Sequence, residues 1–192
     1  MANSPRILAF AGSARANSFN KKLVRIAAAG ATKAGAQVTF LDFRELPLPL
    51  FDEDLEAQGP QPNARKLKDL FLAHDGFLIA CPEYNSSITP LLKNAIDWAS
   101  RPAPNEAPLA CFAGKVAGLV AASPGGLGGL RGLVHVRAIL GNIGVLVVPE
   151  QHALAKAHEA FNDDGSLKDP KQQASVENVG ARVATVLQKL KS

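Results

Sequence analysis

The sequence predicts an α/β fold in which helices cover both faces of a five-stranded parallel sheet. Five short apolar runs alternate along the chain with stretches whose apolar residues recur at helical spacing, as in a doubly wound, three-layer sandwich. With 192 residues, 47% of them hydrophobic and 20% charged, the chain fits one domain, 1–192. Polar or glycine-rich loops follow three of the runs, which predicts a site at the carboxyl edge of the sheet.

The first strand, Ile7–Ala11, is followed by the polar segment Gly12–Asn20 and by a helix that runs to about Lys33. A loop in this place presents backbone N–H groups to an anion at the helix N-terminus. Its side-chain donors are Ser13, Arg15, Ser18 and Asn20. The permanent charge of arginine favours a phosphate ligand, whereas a helix capped by Ser18 or Asn17 is the simpler alternative.

The second strand, Val38–Asp42, leads into a proline-rich segment, 46–62. Its prolines exclude a helix or a central strand and predict a surface connection with buried leucines. A lid over a ligand is the less favoured alternative. A helix containing Leu67, Leu70 and Phe71 then precedes the third strand, Gly76–Cys81.

The loop after the third strand carries polar and aromatic groups that a plain connection does not need. Tyr84 offers a flat ring with a hydroxyl group, and Asn85 can both donate and accept hydrogen bonds, as the edge of a heterocycle requires. Thr89 is expected to cap the next helix and Pro90 to occupy its first position. A simple turn remains possible for each residue taken alone.

The fourth strand, Val116–Ala122, ends in the glycine-rich loop 123–132. Glycines there allow a flat ligand to approach the backbone closely. A GxGxxG dinucleotide fingerprint is not matched, because Arg131 stands where the third glycine is required. A helix over 130–140 leads to the fifth strand, Val145–Val148, which Pro149 and Glu150 close, and the last helix starts at Pro170 after Asp169 as its cap.

Composition excludes several classes of protein. The formal net charge is only +4 and the basic residues are spread along the chain, so we expect no nucleic-acid partner. No apolar run could cross a bilayer and Met1–Pro5 does not resemble a signal peptide, so we expect a cytoplasmic protein without a membrane partner. Cys81 and Cys111 are expected to be reduced thiols, and the four histidines show no metal-binding spacing.

Three motifs together resemble the NAD(P)H-dependent FMN reductase family, which includes quinone, chromate and azo reductases. They are Gly12-Ser13-x-Arg15-x-x-Ser18-x-Asn20, Pro82-Glu83-Tyr84-Asn85-Ser86 and Ser123-Pro124-Gly125-x-x-Gly128-Gly129-x-Arg131. The similarity extends over nearly the whole chain. The fold expected from this reading is flavodoxin-like with strand order 2-1-3-4-5, which places the three loops side by side.

The resemblance implies a bound FMN and NADPH or NADH as co-substrate. It assigns the FMN phosphate to Ser13, Arg15, Ser18 and Asn20. It assigns the isoalloxazine ring to Pro82, Glu83, Tyr84, Asn85 and Ser86 on one side and to Ser123, Gly125 and Gly126 on the other. It names no catalytic acid, base or nucleophile, since the flavin carries the chemistry.

The implied reaction transfers hydride from NAD(P)H to FMN and then electrons to a quinone or similar planar acceptor, with chromate, azo and nitro compounds as further candidates. The resemblance also implies a homodimer or homotetramer with Arg131 and Glu150 as candidate interface residues. Two alternatives stay open: a flavodoxin-type electron carrier, which the net positive charge disfavours, and an FMN-binding protein without turnover.

Overall fold

The computed structural model describes residues 4–191 and contains one main sheet and one short hairpin. The strands of the main sheet are β1 (Arg6–Ala11), β2 (Gln37–Leu41), β3 (Gly76–Ala80), β6 (Val116–Ala122) and β7 (Leu146–Leu154). The hairpin consists of β4 (Glu83–Tyr84) and β5 (Ser87–Ile88). The helices are α1 (Phe19–Lys33), α2 (Glu53–Ala57), α3 (Pro62–Ala73), α4 (Pro90–Ser100), α5 (Leu130–Asn142), α6 (Ala157–Ala160) and α7 (Pro170–Lys191).

The strands of the main sheet are all parallel and lie in the order β2-β1-β3-β6-β7. Counted within this sheet the order is 2-1-3-4-5, so the predicted flavodoxin-like fold is confirmed. Residues of α1 and α7 fill the core on one face of the sheet, and residues of α3, α4 and α5 fill the core on the other. The central strands β3 and β6 are buried along their whole length, as continuous apolar runs in a covered parallel sheet require.

Helices α1 and α7 pack with their backbones in contact. A Cβ atom at Gly30 would overlap the carbonyl of Glu177, and one at Gly180 would overlap the carbonyl of Ala27. Glycine at these two positions therefore allows the helices to approach closely. Because α1 begins directly after the first polar loop, this packing helps to position the helix whose N-terminus borders that loop.

The predicted end of the fifth strand is wrong. Pro149 and Glu150 do not close it, since β7 continues to Leu154. The register shifts between Ala117 and Leu119 of β6, which pair with Val147 and Gln151 of β7. The extra residues of β7 form a bulge. Pro149 is tolerated in this bulge because β7 is an edge strand, so its backbone needs no hydrogen-bond donor there.

The prediction that the proline-rich segment contains no helix is wrong, because Glu53–Ala57 form the short helix α2. Helix α2 is capped by Asp52, whose carboxylate accepts hydrogen bonds from the amides of Asp54 at 2.8 Å and Leu55 at 3.4 Å. The cap satisfies amides at a helix start, which stabilises even a brief helical turn. The four residues between Asp52 and Ala57 contain no proline, so the local sequence permits it.

Polar side chains of α4 hold the same segment against the protein. Asn94 and Trp98 both donate to the carbonyl of Pro49, at 2.9 and 2.8 Å. Leu46 is buried as expected, but Leu50 is 78% exposed, so the prediction of buried leucines is wrong at that position. The segment is therefore a connection that packs against α4.

Both cysteines are unpaired and buried. Cys81 directly precedes the loop after β3, and its burial raises the pKa of its thiol, which disfavours the nucleophilic thiolate. No helix within 4–191 has the length and apolarity to span a membrane. In the same residues no three His, Cys, Asp or Glu side chains come together as a metal site.

Candidate functional site

The loops after β1, β3 and β6 converge at the carboxyl edge of the sheet and enclose an open cleft. Eight of the twelve predicted site residues line it: Ser13, Arg15, Ser18, Asn20, Pro82, Glu83, Tyr84 and Ser123. Phe19, Ala122 and Pro124 complete the lining and were not predicted. Asn85, Ser86, Gly125 and Gly126 are not among the lining residues, but each lies within three residues of one that is.

The start of the first loop is fixed by its neighbours. The amide of Gly12 donates to the carbonyl of Ala80 at 2.9 Å, and the carbonyl of Gly12 accepts from the Thr89 hydroxyl at 2.7 Å. A Cβ atom at Gly12 would lie 2.8 Å from the Cβ atom of Leu92. Thr89 also caps α4, as predicted, by accepting from the amide of Leu92 at 3.2 Å. One hydroxyl group thus joins the first loop to the helix behind the second.

Ser18 occupies the N-cap position of α1, yet its side chain makes no capping hydrogen bond. It is only 5% exposed and lines the cleft. The capping alternative therefore does not account for this serine. The first amides of α1 have no side-chain cap, and a helix N-terminus with free N–H groups favours an anion.

Arg15 supplies a positive charge at the same end of the cleft. Its Nη2 atom donates to the carbonyl of Asn17 at 2.6 Å, and its guanidinium lies 5.1 Å from the centre of the Phe19 ring. Among residues 4–191 no carboxylate forms an ion pair with it. The contacts with Asn17 and Phe19 hold the guanidinium over the loop, where it can bind an anion without first breaking an ion pair.

Asn20 differs from the other three predicted phosphate ligands. Its side chain is 4% exposed. Its Nδ2 atom donates to the carbonyl of Ala122 at 2.8 Å, and its Oδ1 atom accepts from the amide of Ala122 at 3.0 Å. The amide group is therefore engaged with the end of β6.

The loop after β3 contains a β-hairpin with a two-residue turn, which the sequence motif did not predict. Tyr84 pairs with Ser87, and the residues between them, Asn85 and Ser86, have φ angles of 49° and 66°. Positive φ at both positions defines a type I′ turn, in which asparagine is common at the first position and glycine at the second. Serine in the second position weakens this signal in the sequence.

Glu83 anchors the hairpin to α5. Its side chain is 8% exposed and pairs with the Arg131 guanidinium at 2.6 Å. Its Oε2 atom accepts from the amides of Arg131 and Gly132 at 3.0 and 3.2 Å. Burial alone would raise the pKa of this carboxyl, but the Arg131 side chain and the two amides outweigh it and hold the pKa below its ordinary value of 4.5. The carboxylate thus serves as a cap for α5 as well as part of the cleft wall.

We expect Glu83→Gln to lower the free energy of unfolding by about 1–3 kcal/mol at pH 7, because it removes the charge-assisted bonds from the Arg131 guanidinium and from two backbone amides. The folded carboxyl has a depressed pKa, so its contribution is present above the unfolded pKa near 4.5 and is lost as pH falls through the folded value. The difference in Tm between wild type and variant should therefore shrink below about pH 4.5. Glu45→Gln, at an exposed position, is the control, and a pH-independent difference would contradict the assignment.

The glycines after β6 fall into two groups. A Cβ atom at Gly128 would lie 2.7 Å from backbone atoms of Ala153, Leu154 and Ala155, and its φ is +63°. Gly129 has a φ of +94° and a similar conflict with Ala121. At Gly126, by contrast, nothing lies within 4 Å of the Cβ position. Packing of the protein therefore explains Gly128 and Gly129 but not Gly126, which is open to a ligand.

The comparisons with known proteins agree with this geometry. The family model described as NADPH-dependent FMN reductase matches residues 5–159. The chain belongs to the NADPH-dependent FMN reductase family. An NAD(P)H-dependent FMN reductase of Pseudomonas aeruginosa is 35% identical over 179 residues, covering 92% of each chain. A quinone reductase of Pseudomonas putida is 34% identical over 160 residues, covering 82% of each.

The family assignment is supported by a solved structure. The flavoenzyme NAD(P)H:(acceptor) oxidoreductase of Paracoccus denitrificans superposes with a TM-score of 0.81 and 28% identity, covering 96% of this chain and 98% of that one. As a member of the NADPH-dependent FMN reductase family, the chain is an oxidoreductase that uses FMN and NAD(P)H. This confirms the resemblance and favours the reductase over the electron carrier.

The residues of the cleft fit FMN. Its one end offers the uncapped N-terminus of α1, the hydroxyl group of Ser18 and the unpaired charge of Arg15, which suit a phosphate. Its other side offers Tyr84 of the hairpin and Ser123 at the start of the glycine loop. The open backbone at Gly126 lies further along that loop, and such groups suit a flat ring.

Proposed function

We propose that the protein oxidises NAD(P)H and reduces a quinone or a similar small planar acceptor, with FMN held in the cleft at the carboxyl edge of the sheet. One observation carries the proposal: a single cleft joins an unpaired arginine and an uncapped helix start to an aromatic hairpin and an open glycine loop. The relatives named as quinone reductases support the acceptor class.

The loops divide the binding of FMN between them. Ser13, Arg15 and Ser18 would hold the phosphate, with the backbone amides of the first turn of α1. In the loop after β3, Pro82, Glu83, Tyr84, Asn85 and Ser86 would line one side of the ring, and Ser123, Gly125 and Gly126 would line the other. Bound FMN supplies acceptance of hydride and transfer of electrons, and the chain supplies orientation and an open face.

The nucleotide and the acceptor would use the same open side of the cleft in turn. The glycine loop after β6 lacks a dinucleotide fingerprint, because Gly128 and Gly129 are needed for packing and Arg131 pairs with Glu83. A separate dinucleotide site of that type is therefore not built from this loop. Chromate, azo and nitro compounds are the further acceptors that we propose to assay beside quinones.

The test is to purify the protein with FMN and follow the oxidation of NADPH and of NADH with and without a benzoquinone. We expect oxidation of at least one nucleotide and faster oxidation with the quinone present. A protein that binds FMN but oxidises neither nucleotide would contradict the proposal and favour the electron carrier or a protein without turnover. Rates with chromate, an azo dye and a nitroarene then rank the other acceptors.

We also propose that the protein is a homodimer or homotetramer. Three large apolar side chains are exposed on α5 and in the loop just before it. The exposed fractions are 52% for Leu127, 43% for Leu130 and 60% for Val134. A second copy of the chain could bury these side chains, because exposed apolar patches mark surfaces at which proteins associate. The two candidate interface residues are already paired within the chain, Arg131 with Glu83 and Glu150 with Arg182. Light scattering should give at least twice the monomer mass, and a monomer at all concentrations would contradict this.

A further inference from the structure

Asn20 forms a buried, reciprocal pair of hydrogen bonds between two elements of the site. It is the second residue of α1, and its partner, Ala122, is the last residue of β6. The donated bond is 2.8 Å long and the accepted bond 3.0 Å. With 4% of its surface exposed, Asn20 satisfies a backbone N–H and a backbone C=O that would otherwise lie unpaired at the end of a central strand.

No backbone hydrogen bond of the sheet joins β1 directly to β6. Strands β1 and β6 are separated by β3 in the sheet, so the ladders do not join the loop after β1 to the loop after β6. The loop after β6 starts at Ser123, the residue next to Ala122. The Asn20 amide is therefore a direct hydrogen-bonded link between the start of α1 and the last residue before the glycine loop.

We propose that Asn20 is a positioning residue that holds the phosphate end and the ring side of the flavin site at a fixed separation, and is not a ligand of the phosphate. The inference rests on the proposed FMN site. Only the second Nδ2 hydrogen remains beyond the pair with Ala122, and the side chain cannot turn toward a phosphate without leaving two buried backbone groups unsatisfied. Ser18 and Arg15 have no such obligation.

The two roles predict different ligand selectivity. A phosphate ligand affects FMN and not riboflavin, which lacks the phosphate. A positioning residue that holds the end of β6 affects both, because the loop that starts there lines the ring side, which both flavins need. We expect Asn20→Ala to raise the Kd of FMN and of riboflavin by the same factor, roughly tenfold. Ser18→Ala should raise the Kd of FMN alone.

Val24→Ala is the matched control for a general loss of stability. Val24 lies one turn further along α1 and is 3% exposed, but its side chain makes no hydrogen bond. Both variants should lower the Tm of the protein without flavin by roughly 2–8 °C. Only Asn20→Ala should also speed hydrogen exchange at the amide of Ala122, because only it removes the acceptor of that amide. If Asn20→Ala does not fold, Asn20→Ser replaces it in all measurements.

Three results would overturn the inference. One is a loss of FMN affinity with riboflavin affinity unchanged, which would make Asn20 a phosphate ligand. The second is no change for either flavin. The third is that Val24→Ala, at an equal loss of Tm, reproduces both the flavin and the exchange changes. Failure of the wild type to bind any flavin would instead contradict the proposed function, while the exchange data would still decide whether Asn20 holds the end of β6.

Discussion

Replacing Arg15 with alanine is expected to weaken FMN binding by about 10- to 100-fold and to leave riboflavin binding within about twofold. The guanidinium is held over the first loop by Asn17 and Phe19 and has no competing carboxylate among the described residues. Its bonds to a phosphate would be charge-assisted, and such bonds contribute about 1.5–3 kcal/mol each. Fluorescence titration of the protein without flavin measures both constants.

Arg25 provides the matched control for this experiment. It lies on α1, the helix that follows the loop carrying Arg15. Its guanidinium stacks on Phe40 at 5.0 Å, much as that of Arg15 stacks on Phe19 at 5.1 Å. Arg25→Ala therefore removes the same charge and the same kind of stacking contact away from the cleft. An equal loss of FMN affinity in both variants would mean that net charge attracts the nucleotide. Equal weakening of FMN and riboflavin by Arg15→Ala would contradict the phosphate assignment.

Features that depend on neighbouring residues were predictable from the sequence. The apolar runs predicted the strands, and their alternation with amphipathic stretches predicted a parallel sheet. The strand order that brings three loops together came from the likeness to flavodoxin-like folds. Thr89 and Pro90 marked the start of α4 correctly, because a cap and a first-turn proline act within one helical turn.

Features that depend on distant partners were not predictable. Asn20 and Ala122 are 102 residues apart, and Glu83 and Arg131 are 48 apart. Read alone, Asn20 is a donor in a polar loop and Glu83 is part of a ring-binding motif. Their partners appear only when the sheet places β6 and α5 beside them. The bulge in β7 has the same origin, because it results from pairing with β6.

The second large effect is expected at the glycine loop, where two substitutions should separate packing from ligand binding. Gly128→Ala places a Cβ atom 2.7 Å from three backbone atoms at a φ of +63°. Overpacking and strain of this kind cost about 2–5 kcal/mol together. We therefore expect the Tm of the protein without flavin to fall by roughly 5–20 °C. Calorimetry of the flavin-free protein measures this change.

Gly126→Ala should behave in the opposite way. Nothing lies within 4 Å of its Cβ position, and its φ is not in the left-handed region, so the free energy of unfolding should stay within about 1 kcal/mol of wild type. A methyl group there would occupy space beside the cleft, and we expect FMN and riboflavin both to bind roughly tenfold more weakly. If Gly126→Ala bound both flavins as wild type does, the ring would not approach this loop. Packing within the protein does not require a glycine at this position. The flavin titration therefore tests whether ligand binding requires it.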